Sequence, residues 1–251
     1  MKISIITAVY NNVLEISSAM DSVLSQQAID IEIIVVDGDS TDGTMDALRP
    51  YMSRIDTLVS ARDNGIYPAL NRGIALATGD YIGFLHSDDL FASPDAVANL
   101  FAGLEGDKPA AVWGDLNYVK KADPKQIVRR WISTPFSNRR LRWGWMPPHP
   151  ALYVRRDAFE DVGGFDEQMR IAADYDFVLR LFMRGGDLRY VPGTVVSMRT
   201  GGASNRSLKA IWRKSREDVQ ALRRSELPVA RALLGKNLGK IPQFLPWYRD
   251  R

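Results

Sequence analysis

The stretch Tyr81-Ile82-Gly83-Phe84-Leu85-His86-Ser87-Asp88-Asp89 decides the fold. Its first five residues read as a buried strand, and the next four deliver two adjacent carboxylates to that strand's carboxyl edge, where open α/β sheets bind ligands. Neighbouring carboxylates repel one another unless water or a cation separates them, and hard oxygen donors of this kind suit Mg2+ or Mn2+. No lysine or arginine lies within five residues of the pair to neutralise it. A helix is expected just beyond, with Ser93 as N-cap and Pro94 at its first position. For a bare Asp-Asp the alternative is a solvated turn, so the surroundings must decide.

Upstream, Lys2 to Val9 is a β-rich apolar strand, Val13 to Gln27 has helical periodicity, and a second strand runs from Ile31 to Val36. It enters Asp37-Gly38-Asp39-Ser40-Thr41-Asp42-Gly43-Thr44, a turn of small and acidic residues, followed by a helix over Met45 to Tyr51. Strand, helix, strand and helix joined by short crossovers imply a parallel sheet. A short strand at Thr57–Ser60, a helix at Tyr67–Ala77, a helix at Pro94–Leu104 and strands at Ala110–Trp113 and Leu116–Val119 continue the alternation. Beyond Asp123 the pattern breaks into an aromatic, proline-rich segment with Trp131, Phe136, Trp143, Trp145 and Pro147-Pro148-His149-Pro150. Order returns with a strand at Ala151–Val154 and helices at Asp157–Val162 and Ala173–Arg184, the last closed by Gly185-Gly186.

The chain has 251 residues, no cysteine and an ordinary apolar content, enough for one domain plus an appendage. A disulfide framework, a thiolate metal site and a cysteine nucleophile are excluded. No apolar run reaches the roughly 18 residues of a membrane span, and the apolar start is too short for a signal-peptide core, so a cytoplasmic location is expected. Residues 199–251 carry 13 lysines and arginines against 4 acids, a net +9, which leaves −6 to residues 1–198 of the chain's +3. The acidic remainder and the lack of a recognised motif argue against nucleic-acid binding.

Asp37 and Asp39, just past the second strand, are placed to accept hydrogen bonds from a base or ribose; turn and capping chemistry is the alternative for each. No G-x-G-x-x-G follows the first strand, which disfavours dinucleotide cofactors. Asp63, in the turn Arg62-Asp63-Asn64-Gly65, is either a ligand contact or a turn former. On the helix from Ala173, Asp176 precedes Arg180 by four residues, the spacing of an ordinary ion pair. Asp174 instead shares the core-facing stripe of Phe177, Val178 and Leu181 at the helix start, which makes it the better general base. His149, fixed between prolines, is either structural or aimed into a cleft.

Together these residues resemble family 2 glycosyltransferases of the GT-A fold, the colanic-acid and capsular-polysaccharide type. The motifs that carry the likeness run from Ser4-Ile5-Ile6-Thr7-Ala8-Val9-Tyr10-Asn11 through the Asp37–Thr44 turn and Asp63-Asn64-Gly65-Ile66-Tyr67 to Asn71-Arg72-Gly73-Ile74-Ala75. They continue with Thr78-Gly79-Asp80-Tyr81, His86-Ser87-Asp88-Asp89, Gly163-Gly164-Phe165-Asp166 and Asp174-Tyr175-Asp176 with Arg180. Each is weak alone, and the ordered set is strong. The resemblance implies an α/β, Rossmann-like, mostly parallel sheet flanked by helices. It implies that Thr7, Asp37, Asp39, Asp63 and Asp88 hold the nucleotide, that Asp88 and Asp89 hold Mg2+ or Mn2+, and that Asp174 is the base. His149 and the loop Gly201-Gly202-Ala203-Ser204 are expected at the acceptor or diphosphate, with a plain linker as the alternative for the loop. Ala173 and Pro68 depart from the family, which often has Glu and Asp there. The implied reaction is inverting transfer of a sugar from a UDP-, GDP- or TDP-sugar to a saccharide or polyprenyl-linked acceptor in bacterial surface polysaccharide synthesis. The competing reading is a non-catalytic nucleotide-sugar-binding or assembly module, against which intact Asp88, Asp89 and Asp174 argue.

The expected division is a GT-A domain over residues 1–206 and a basic, aromatic-containing helical extension over 207–251. Ile211-Trp212, Val219, Leu222 and Leu233-Leu234 are its apolar positions, and Pro242 and Pro246 break any helix near Phe244, Trp247 and Tyr248. Basic helices beside aromatics suit an anionic membrane surface, placing the protein peripherally at the inner membrane's cytoplasmic face. Packing on the core or against a second copy in a homo-oligomer is the alternative.

Overall fold

The computed structural model describes residues 1–104, 106–201, 208–239 and 243. Strands β1 (Lys2–Val9), β2 (Asp30–Asp37), β3 (Thr57–Ser60) and β4 (Tyr81–Phe84) lie parallel in the order β3-β2-β1-β4. β1, β2 and β4 are largely apolar on both faces because both are covered, with Ser4, Thr7 and Glu32 as buried polar exceptions. Ile3, Ile5, Ile33 and Val35 face one core with helices α1 (Ile16–Leu24) and α4 (Ala96–Phe101). Ile6, Ala8, Ile34 and Val36 face the other, with α3 (Ile66–Leu76), α6 (Arg156–Val162) and α7 (Ala173–Arg184). Helix α1 buries Ile16, Ala19, Met20 and Val23, the i, i+3, i+4, i+7 stripe of an amphipathic helix. The expected helix at Met45–Tyr51 divides into α2 (Thr44–Leu48) and a 3-10 turn at Arg49–Arg54, where Pro50 stands. Helix α4 begins at Ala96 with Asp95 in the capping position, two residues later than Ser93 and Pro94 predicted.

The second half of the sheet is mixed. Strand β8 (Leu152–Arg155) runs antiparallel to both β4 and β6 (Ala111–Val119), β9 (Leu188–Arg199) is parallel to β6, and the two-residue β5 (Leu90–Phe91) closes the far edge on β9. Gly83 makes the β4–β8 contact feasible, since a Cβ there would lie 2.3 Å from the Tyr153 ring. The two strands expected at 110–119 are one, and the register against β9 shifts between Trp113 and Leu116, around Gly114 and Asp115. The aromatic segment after Asp123 holds β7 (Ile127–Trp131), which pairs with β6, and a short α5 (Asn138–Leu141). Phe136 and Trp145 pack with Phe182 of α7, and Trp145 with Trp113 of β6, so this irregular segment is tied down by ring contacts.

Beyond the sheet, α8 (Leu208–Arg224) packs back on α7, and α9 (Val229–Leu238) packs on α8. Ala221, Leu222, Leu227 and Ala232 belong to the same buried cluster as Phe177 and Leu181. Asp218 pairs with Lys214 at 3.2 Å and with Lys236 at 2.8 Å, and Lys236 lies over the Tyr175 ring. Burial draws the Lys236 ammonium down to about 8, against the pull of Asp218.

One polar network secures the opposite, amino-terminal edge of the parallel strands. Glu32 on β2 is buried and accepts from Lys2 Nζ at 2.8 Å, Ser4 Oγ at 2.5 Å, Thr78 N at 2.8 Å and the Thr78 hydroxyl. Burial would raise its pKa, yet these donors prevail and hold it at about 2 against an ordinary 4.5. A carboxyl depressed in the folded state contributes stability that is fully present above about pH 4.5 and is lost as pH falls toward 2. The contribution is on the order of 3 kcal/mol. Glu32→Gln is therefore expected to lower Tm at pH 7 and to flatten the acid limb of the stability curve between pH 5 and pH 2, read by thermal melts across that range; an unchanged acid limb would remove Glu32 from this role.

Candidate active site

The carboxyl edge of β1, β2 and β4 gathers the acidic turns. Asp37 ends β2 beside Val9 and is fully buried, accepting from the Ser60 hydroxyl at 2.6 Å and from Ser40 N at 3.1 Å. Asn11 binds the same turn twice, its N–H donating to Ser40 Oγ and its side-chain oxygen accepting from Thr41 N. Asp39 is exposed in a left-handed conformation, φ +68°. Asp63 pairs with Arg72 Nη2 at 3.0 Å, and burial raises its carboxyl above the usual range despite that arginine. Thr7 is wholly buried in β1 with its hydroxyl unpartnered.

Asp88 and Asp89 occupy different environments. Leu85 N donates to Ile6 O and Asp89 N to His86 O, so the chain turns tightly as it leaves β4. Asp88 is half-buried. Asp89 is 1% exposed, its Oδ1 accepts from Arg199 N at 3.0 Å, and its Oδ2 has no partner. Burial, reinforced by the charge of Asp88, pushes the Asp89 carboxyl well up, and Arg199 only partly offsets this. The Arg199 guanidinium donates to Asp88 O at 2.7 Å and to Ser18 Oγ at 3.0 Å. The cation absent from the local sequence thus arrives from the end of β9. Among the described residues no three His, Asp or Glu side chains converge into a ready-made metal cage. The unpartnered Oδ2 and the half-open Asp88 still suit an ion such as Mg2+ or Mn2+, which takes one or two carboxylates and completes its shell from phosphates and water.

Asp174 lies in the first turn of α7 with its side chain 22% exposed. The three backbone N–H groups before that helix, of Arg170, Ile171 and Ala172, donate to the buried Glu217 carboxylate of α8 at 2.8 to 3.1 Å. A carboxylate there satisfies donors that a helix start otherwise leaves free. Asp176 is the more buried acid of the pair and holds Arg180 Nε at 2.8 Å, as the spacing predicted, while Arg180 also donates to Val162 O and Gly164 O. His149, at the start of a 3-10 turn, places Nδ1 3.2 Å from Asp174 Oδ2. His86 Nε2 lies 3.3 Å from His149 Nε2. Burial lowers both imidazoles, His86 to about 4, and the charge of Asp174 partly offsets this at each. Tyr67 OH donates to Ile171 O at 2.7 Å and stands 3.4 Å from Asp174 Oδ1.

The structure therefore links the Asp88–Asp89 turn to Asp174 through His86 and His149, and gathers Asp37 and Asp63 at the ends of β2 and β3. Gly201 is exposed at φ +107°, and Gly202 and Ser204 lie outside the described residues, as does the aromatic segment with Trp247 and Tyr248. Sequence reasoning gave no role to His86, Arg199 or Glu217. His86 stood inside the quoted motif, whereas nothing local to Arg199 or Glu217 announces its partner.

A model of the family described as Glycosyl transferase family 2 matches residues 4–163. The chain is 32% identical over 212 residues to a PGL/p-HBAD biosynthesis glycosyltransferase of Mycobacterium bovis, covering 80% of this chain and 78% of that one. It is 30% identical over 181 residues to the chondroitin synthase of Pasteurella multocida, covering 71% of this chain but 18% of that protein. Among solved structures, S. aureus TarS 1-349 in complex with UDP-GlcNAc superposes with a TM-score of 0.66 at 17% identity, covering 94% of this chain and 70% of that one. The mannosyltransferase PcManGT of Pyrobaculum calidifontis, in complex with GDP-Man and Mn2+, gives 0.64 at 21%, covering 98% and 71%. The fold is GT-A, and the chain belongs to glycosyl transferase family 2.

Proposed function

We propose that the protein transfers a sugar, with inversion at the anomeric carbon, from a nucleoside diphosphate sugar to a hydroxyl of a saccharide or lipid-linked saccharide in bacterial surface polysaccharide synthesis. The observation that carries this reading is the pairing of two carboxylate groups, Asp88–Asp89 and Asp174, on either side of the His86–His149 contact. Asp37, Asp39 and Asp63 would hold the nucleotide above β1 and β2, with Thr7 beneath them. Gly201, Gly202 and Ser204 would be contacts to the diphosphate or to the acceptor. Asp174 would accept the proton of the acceptor hydroxyl as its oxygen attacks the anomeric carbon, the bond to the diphosphate breaks, and the electron pair leaves with the nucleoside diphosphate. Asp88, with the Oδ2 of Asp89 behind it, would hold Mg2+ or Mn2+, which when bound supplies positive charge for the leaving phosphate.

For location, we propose a peripheral site at an anionic cytoplasmic membrane face, reached through the outer side of α8. No described helix is long and apolar enough to cross a membrane. Ile211 is 47% and Trp212 62% exposed, and Lys209, Arg213 and Arg216 are exposed alongside them. Each such cation near an anionic surface contributes on the order of 1 kcal/mol.

Four outcomes are expected. Incubation with Mn2+ and a panel of UDP-, GDP- and TDP-sugars should reveal one donor that is hydrolysed slowly. With that donor, excess EDTA and Asp88→Asn should each reduce transfer about 10²-fold or more, and persistence of full turnover in EDTA would exclude the metal. Asp174→Asn should lower kcat by a similar factor while donor affinity stays within a few-fold, whereas Asp176→Asn should chiefly lower Tm; the reverse order would move the base off Asp174. Finally, the full chain should sediment with anionic vesicles at low salt and dissociate at high salt, and Ile211→Ser with Trp212→Ser should weaken this several-fold. Equal sedimentation of the double variant would remove α8 as the contact.

A further inference from the structure

His86 and His149 are the only histidines in the chain, and they meet although 63 residues apart in sequence. Their rings are 5.5 Å apart and inclined by 63°, with Nε2 facing Nε2 at 3.3 Å. Two ring nitrogens at that distance share one proton, so one donates and the other accepts. The second nitrogen of His149, Nδ1, faces Asp174 Oδ2 at 3.2 Å. An ionised carboxylate only accepts, so His149 Nδ1 carries a proton. The facing Nε2 atoms need one proton between them, and the arrangement with a single proton on each ring leaves His149 Nε2 bare to accept from His86 Nε2–H.

The two oxygens of Asp174 thereby differ. Oδ2 is occupied by His149. Oδ1 stands 3.4 Å from Tyr67 OH, whose proton is committed to Ile171 O at 2.7 Å, so a lone pair of Oδ1 is left over. Asp174 lies on α7 and His86 in the turn after β4, so the pair of rings also bridges the two halves of the site.

We infer that His86 and His149 form a hydrogen-bonded strut that sets the orientation of the Asp174 carboxylate, holding Oδ2 through His149 Nδ1–H and leaving Oδ1 to receive the acceptor's proton. The inference rests on the reading of Asp174 as base. His149 and His86 are positioning residues: the proton moves from the acceptor oxygen to Asp174 Oδ1 and neither ring changes charge. A carboxylate free to rotate spends less time aligned, and misplacement of about 1 Å costs on the order of 10²-fold in rate.

The strut is tested first without substrate. Histidine 15N spectra of the labelled full chain at pH 7.5, assigned with His86→Leu, should show His149 as the Nδ1–H tautomer and His86 with Nε2 protonated. His149 as the Nε2–H tautomer would overturn the inference. Kinetics follow, with the nucleotide-sugar that the donor panel shows to be hydrolysed. His149→Leu should lower kcat about 10- to 100-fold with donor KM within threefold. His149→Asn, whose amide N–H stands near the place of Nδ1, should recover most of that loss. His86→Gln, which keeps a donor near Nε2, should outperform His86→Leu in the same way and provides the second arm where a His149 variant misfolds. In the Asp174→Asn background, His149→Leu should cost no further kcat, because the strut acts only through the carboxylate. A kcat for His149→Leu within twofold of the parent, a loss confined to donor KM, or an undiminished further loss in the Asp174→Asn background would each overturn the strut. Full turnover by Asp174→Asn alone would instead overturn the base.

Discussion

The arrangement above the sheet depends on one carboxylate taken out of water. Removing an ionised group from solvent costs several kcal/mol unless partners replace the water, and Asp89 is buried beside a second acid. Its answer is Arg199, whose backbone N–H meets Oδ1 and whose guanidinium binds Asp88 O and Ser18 Oγ. These bonds, with the two-residue ladder of β5 on β9, fasten the His86–Asp89 turn to the far half of the sheet and to α1 at once. His149 meets this turn through His86 Nε2, and through His149 the turn is joined to Asp174 on α7.

The parallel half of the fold was legible because its strands are largely apolar runs between polar turns, interrupted inside β1 and β2 only by Ser4, Thr7 and Glu32. β3 has the expected limits, and β1, β2 and β4 agree to within a residue. The mixed half was harder for definite physical reasons. β9 contains Pro192 and Gly193 and alternates poorly, β7 contains Arg129 and Arg130, and β5 has two residues. Strands of that kind exist through their neighbours rather than through their own pattern. The aromatic segment between Asp123 and Pro150 reads as irregular in sequence, and it is largely so; what orders it is contact with Trp113 and Phe182, which no local spacing reveals.

For the site, the difference between Asp174 and Asp176 follows from helical spacing and is reproduced in three dimensions: one acid is tied to Arg180, the other stands at the helix start. The ranking of burial is reversed, since Asp176 is the more enclosed. An arginine four residues on and a second cation, Arg224 at 3.9 Å, make that enclosure tolerable. Glu217 was beyond sequence reasoning because its three hydrogen bonds reach across 45 to 47 residues to backbone groups, which carry no side-chain signature.

The contact between His149 and Asp174 also bears on how such chains can be shuffled. The family match ends at residue 163, so the histidine lies within the matched portion and its aspartate beyond it. A hybrid joined at that border from two relatives would bring together an imidazole and a carboxylate selected in different backgrounds, with the helix behind them braced by a third segment, α8. Exchange of this sequence between relatives is therefore constrained as a block from His149 through Glu217, and a crossover point that preserves the His149–Asp174 contact lies before the aromatic segment rather than at the edge of the shared region.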